Sequence, residues 1–120
     1  MPVKPPTLLV IEDAPDQALL VSVAARRAHP GLDVRFAANG REGIAYIAGR
    51  PPFHDRSAHP SPDLIILDLI MPEVHGFQVL EWIRDQPDPL HIPVVVLTSS
   101  SNPDDEQRSR DLGAIAVYRK

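Results

Sequence analysis

Short apolar runs punctuate this chain at intervals, and stretches of helical period separate them. Leu8-Leu9-Val10-Ile11, Leu64-Ile65-Ile66-Leu67 and residues 94–97 are unbroken apolar runs, which predicts strands covered on both faces. Residues 34–37 and 115–118 predict two shorter strands. Between the first two strands lies a predicted helix over residues 15–28, with Pro15 in its first turn and Leu20, Val23, Ala24 and Ala28 on one face. His29-Pro30-Gly31 stops it. Asn39 followed by Glu42 predicts a capped second helix that buries Ile44, Ile47 and Ala48. A third helix starts at Gly76, carries Val79, Leu80 and Ile83, and ends before Pro87. Asn102-Pro103-Asp104-Asp105 opens a fourth whose single large apolar side chain is Leu112, so it should lie exposed, with Gly113 suited to its end. Residues 49–62 hold four prolines and predict a long irregular loop. Strands alternating with helices predict an α/β domain with a parallel sheet.

Composition narrows the class without changing the picture. A chain of 120 residues, 43% hydrophobic and 23% charged, has the length and balance of one globular domain. The net charge of −4, with no basic stripe, argues against nucleic acid as a partner. The apolar run after Met1 to Pro6 is too short for a signal peptide core, and no run is long enough to span a membrane. The absence of cysteine excludes a disulfide framework and fits a cytoplasmic location.

Candidate chemistry lies where the apolar runs end. Glu12-Asp13 follows the first run, Asp68 the third, Thr98 with Ser99 the fourth, and Lys120 the fifth. In an open α/β sheet these carboxyl ends share one rim. Two carboxylates ~4 Å apart repel by about 4 kcal/mol at an effective dielectric near 20, so three of them need a cation. All-oxygen donors suit Mg²⁺ or Mn²⁺ better than zinc. With Lys120 as a fixed positive charge and Thr98 as a hydroxyl donor, the set fits a phosphoryl group on Asp68, the carboxylate acting as nucleophile. Taken singly, Glu12-Asp13 reads as a helix-capping pair and Lys120 as a frayed terminal lysine. The five histidines show no ligand spacing and read as solvated, and Trp82 reads as partial packing or a contact surface.

These pieces, in order, resemble the receiver domain of bacterial two-component response regulators over nearly the whole chain. Carrying the resemblance are Glu12-Asp13, Asp68-Leu69-Ile70-Met71-Pro72 with Gly76, Thr98-Ser99, and Gly113-Ala114 leading to Lys120, with thirty residues from Asp68 to Thr98 and twenty-two from Thr98 to Lys120. The resemblance implies a flavodoxin-like, doubly wound five-stranded parallel sheet in the order 2-1-3-4-5, a single receiver domain over residues 1–120. It also implies that Asp68 accepts phosphate from a sensor histidine kinase. Glu12, Asp13, Asp68 and the main-chain carbonyl of Ile70 would hold the metal, while Thr98 and Lys120 bind the phosphoryl oxygens. The segment from His91 to Ser100 further resembles stand-alone receivers paired with bacterial phytochrome kinases. Such a domain is a self-phosphorylating and self-dephosphorylating switch acting on a downstream protein, not a conventional enzyme.

Three features depart from the family pattern. Val117 occupies the usual aromatic switch position, and the neighbouring Tyr118 should face the other way. No final helix follows Lys120, so either the chain is a fragment or a partner, including a second copy, covers the open face. The Pro-rich loop is longer than usual and should be tolerated as an insertion. A phosphorylation-independent binding module therefore stands as the alternative. Two enzyme readings fit poorly: Glu12-Asp13 would repel the phosphate of a flavin, and Ile70 stands where a haloacid-type phosphatase wants a second aspartate. Ile70, unable to orient a hydrolytic water, implies slow self-dephosphorylation.

Overall fold

The computed structural model describes residues 4–71, 74–87 and 90–120, so Met1 to Val3 and Pro72 of the motif after Asp68 lie outside the described residues. Five strands, β1 (Thr7–Ile11), β2 (Asp33–Ala37), β3 (Leu64–Asp68), β4 (Val94–Thr98) and β5 (Ala116–Arg119), form one sheet in the order 2-1-3-4-5. Every pairing is parallel. Helices α1 (Pro15–Ala28), α2 (Gly40–Ala48), α3 (Gly76–Arg84) and α4 (Pro103–Asp111) make the crossovers. The sequence thus predicts every element to within a residue or two at its ends.

Successive strand residues point to opposite faces, which sorts the apolar runs into two cores. Leu9, Ile11, Ile65, Leu67, Val94 and Val96 pack with Tyr46 and Ile47 of α2 and Phe77, Val79 and Leu80 of α3. Leu8, Val10 and Val34 pack with Ala18 of α1 on the other face. Val117 joins the first core, whereas Tyr118 is exposed, as the period of a strand requires.

The buried face of α1 is not the expected one. Leu20 and Val23 are 63% and 43% exposed, and Ala24 and Ala28 are exposed as well. The helix instead buries Ala18 and Ser22, flanked by Val21 and Ala25. Small side chains let the helix lie close against the sheet, and the Ser22 hydroxyl is satisfied by donating to the Leu19 carbonyl at 2.7 Å. In α2 the expected cap is present, since the Asn39 side chain accepts from the Glu42 N–H at 2.8 Å. Ala48 is exposed, however, and Tyr46 fills the core with its hydroxyl donating to the Pro60 carbonyl. That bond and the packing of Phe53 and His59 around Tyr46 tie the Pro-rich loop to the domain. As expected, α4 is exposed, with Ser109 its one buried residue, and Gly113, directly after its C-cap Leu112, has a φ of 108° that suits glycine.

Candidate phosphoryl-acceptor site

The carboxyl ends of β1, β3, β4 and β5 meet at one rim, as parallel strands of matched register must. Glu12 follows β1 directly, its N–H bonded to the Ala37 carbonyl of β2 at 3.1 Å, and is 7% exposed. Asp68 closes β3 at 4% exposure and Thr98 closes β4 at 3%. Asp13 lies beside them in solvent. Carboxylate oxygens of Glu12, Asp13 and Asp68 all lie within 4.8 Å of one another. Glu12 and Asp13 are not the cap of α1, for the N-cap is Ala14 and no side chain caps it.

Lys120 is fixed in place rather than frayed. Its N–H bonds the Thr98 carbonyl at 3.0 Å, extending the β4–β5 ladder by one residue. Its ammonium reaches Glu12 Oε2 at 3.0 Å and Asp68 Oδ1 at 3.3 Å. Burial disfavours the Lys120 charge, but the hydrogen bond to Glu12 and the nearby Asp68 outweigh it and raise the pKa. Asp68 is pushed up to about 6, first by burial and then by the charge of Glu12, with Lys120 and the Ile70 N–H pulling the other way. A buried carboxylate held that far above its ordinary value carries more burial and negative charge around it than the single Lys120 ammonium offsets. The oxygen-only donors and this unrelieved repulsion fit a divalent cation.

Thr98 Oγ1 accepts from the Ser100 N–H at 3.0 Å and has a hydrogen to donate. Ser100 donates its hydroxyl to Asp105 at 2.6 Å and accepts from the Asn102 N–H. Ile70 is 48% exposed, and its N–H donates to Asp68 Oδ1 at 3.3 Å.

Behind Asp68 stands the first turn of α3. The Gly76 N–H bonds the Leu69 carbonyl at 2.9 Å. A Cβ on Gly76 would sit 2.7 Å from Leu69 Cα and 2.8 Å from the Asp68 carbonyl oxygen, both backbone atoms that cannot give way alone. Gly76→Ala is therefore expected to destabilise the domain by ~2–3 kcal/mol, measured by urea unfolding. A variant as stable as the parent would show that the helix is not seated on this strand end.

Sequence reasoning missed one residue here. His75, read as solvated, is the N-cap of α3, with Nδ1 accepting from the Phe77 N–H at 3.2 Å and the Gln78 side chain accepting from the His75 N–H at 2.7 Å. The signal available was Gln78 three residues after His75, the spacing of a capping box with an unusual first residue.

Comparison with known proteins agrees with this geometry. Residues 8–120 match the model of the response regulator receiver domain. The response regulator Rcp1 of Synechocystis sp. is 32% identical over 108 residues, which are 90% of this chain and 71% of that protein. A probable cyclic di-GMP phosphodiesterase of Vibrio cholerae is 33% identical over 91% of this chain, which spans only 22% of that protein's length. Among solved structures, the Mn²⁺-bound form of Rcp1 superposes with a TM-score of 0.85 at 31% identity, covering 97% of this chain and 81% of that one. The phosphorylated cyanobacterial phytochrome response regulator RcpA gives 0.86 at 31% identity, with the same coverage. With its strand order, its acidic rim and this match over nearly its full length, the chain belongs to the response regulator receiver domain family.

Proposed function

We propose that this domain, residues 1–120, is the phospho-accepting receiver of a two-component relay, with Asp68 taking a phosphoryl group from a sensor histidine kinase. The observation that carries the reading is Asp68 itself, 4% exposed, 3.3 Å from the Lys120 ammonium and grouped with the carboxylates of Glu12 and Asp13. One Asp68 oxygen forms the new bond to phosphorus as the bond from phosphorus to the donor's imidazole nitrogen breaks, and that nitrogen keeps the electron pair. The metal of this reading is Mg²⁺, held by Glu12, Asp13, Asp68 and the Ile70 carbonyl, and it offsets the negative charge gathered there. Lys120 pairs with the phosphoryl oxygens, and the Thr98 hydroxyl donates to them. The Mn²⁺-bound form of Rcp1 and the phosphorylated form of RcpA support the same metal class and the same modification here.

Similarity to a bacteriophytochrome response regulator, 32% identical with a TM-score of 0.84, supports a phytochrome-type kinase as the donor. The partner pairing belongs to the cytoplasm, and among the described residues no helix is long and apolar enough to cross a membrane. A second reading, a phosphorylation-independent binding module, draws on Val117, which packs half-buried against the core where the family has its aromatic switch.

Mass spectrometry after incubation with acetyl phosphate tests the first reading. Addition of one phosphoryl group with Mg²⁺ and none with chelator is the expected result; no addition in either case rejects it. Partner affinity that is identical before and after labelling would favour the second reading. Slow loss of the label is expected too, since Ile70 is apolar and the Ser100 hydroxyl is engaged with Asp105. Ile70→Asn should shorten the label's lifetime, since a polar side chain there can orient the attacking water. An unchanged lifetime would remove Ile70 from that role.

A further inference from the structure

The first turn of α3 is the support on which the Asp68–Leu69 backbone rests, and a histidine holds that turn together. His75 Nδ1 can accept from the Phe77 N–H only as a lone pair, so the ring is the neutral tautomer with its proton on Nε2. The ring also stacks on Phe77, with centroids 4.9 Å apart and planes inclined by 26°. Phe77 in turn lies under the Arg108 guanidinium of α4 at 4.1 Å. A proton added to Nδ1 removes the acceptor, leaves the Phe77 N–H without its partner, and puts a positive charge at the positive end of the helix dipole.

We infer that His75 is a proton-sensitive positioning residue: neutral, it caps the turn of α3 that backs Asp68; protonated, it releases that turn and lowers phosphoryl acceptance. This rests on the reading of Asp68 as the acceptor, although the cap itself does not. Among the described residues, the charged groups facing His75 are Asp105 and Arg108, both from α4; its own helix contributes the neutral Gln78. Burial holds the ring below its ordinary pKa of 6.5, with Asp105 opposing and Arg108 reinforcing that direction. Because the folded value is lowered, the cap's contribution is complete above pH 6.5 and is lost as pH falls through the folded value. Asp68, with its raised pKa, contributes stability in the opposite direction over the same window, so global unfolding cannot separate the two.

Two measurements on the whole domain do separate them. The first is hydrogen-exchange protection of the Phe77 and Gln78 amides by NMR, corrected for intrinsic rates, from about pH 7.5 to about pH 5. Protection should fall at least several-fold with the titration of the His75 ring in the parent, stay level in His75→Asn, whose cap does not titrate, and be low throughout in His75→Ala. The second is the rate of labelling by acetyl phosphate with Mg²⁺ over the same range. The parent should lose rate more steeply than His75→Asn, the remaining slope belonging to Asp68. Protection that ignores pH in the parent, or falls equally in His75→Asn, overturns the inference, as do parallel labelling profiles. Absence of labelling at every pH would instead reject Asp68 as acceptor, and the protection data would still decide the cap.

Discussion

Asp68→Asn should abolish phosphoryl incorporation and, without divalent cation at about pH 8, make the domain more stable than its parent. The first effect follows because an amide is not a nucleophile towards phosphorus. The second follows from the cost of ionising a carboxyl that burial and Glu12 have pushed up to about 6 from its ordinary 3.8. That difference corresponds to ~3 kcal/mol against the folded state wherever Asp68 is charged. The amide keeps the acceptor oxygen for the Ile70 N–H, and Lys120 keeps its pair with Glu12, so the expected net gain is ~1–3 kcal/mol. The sign has a pH signature. A raised folded pKa gives a contribution that is complete below 3.8 and lost as pH rises through about 6, and the variant lacks that loss. Saturating Mg²⁺ should reverse the ranking by stabilising the parent alone. Urea titrations at two pH values, with and without Mg²⁺, read all of this; a variant less stable than its parent at pH about 8 would contradict the electrostatic account.

The opposite outcome is expected for Lys120→Met. Its ammonium is the one side-chain cation within 4 Å of Glu12 and Asp68 among the described residues, and both carboxylates are more than nine-tenths buried. Removing one partner of a buried pair strands the charge left behind, at a cost of about 3–5 kcal/mol. Lys120 retains some contact with solvent, which places the expected loss near ~3 kcal/mol and the drop in melting temperature at roughly 10 °C. Lowering the pH to about 5 should recover much of it by protonating Asp68, and so should divalent cation. Calorimetry of the two proteins at both pH values is the check. Equal melting temperatures would mean that Lys120 is as dispensable as an exposed terminal lysine.

The rim was legible because each of its carboxylates and its lysine follows an apolar run, and runs of four or five apolar residues in so short a chain have few folds open to them. Asp68 after Leu64-Ile65-Ile66-Leu67 fixes both a strand and the end at which its chemistry must lie. The α1 face was misread for a physical reason. Periodicity arguments weigh large apolar side chains, and Leu20 and Val23 point outward while Ala18 and Ser22 carry the contact. Close packing of a helix on a sheet selects small residues, which leave almost no trace in a hydrophobic pattern. Tyr46 was overlooked because its hydroxyl finds its partner in the Pro-rich loop, a tertiary contact that no local pattern encodes. His75 escaped because histidine is seldom a cap, and only the imidazole geometry shows its ring nitrogen serving as the acceptor.

The position of β1 between β2 and β3 also bears on how the molecule is made. Its first neighbour comes with Val34, but its second arrives only with Leu64, past two helices and the Pro-rich loop. A chain leaving the ribosome therefore carries Leu8-Leu9-Val10-Ile11, uncharged and apolar, with one backbone edge unguarded until Leu64 to Leu67 have emerged. Until then the segment is open to pairing with another nascent chain, so aggregation during synthesis is a hazard that the finished sheet no longer shows.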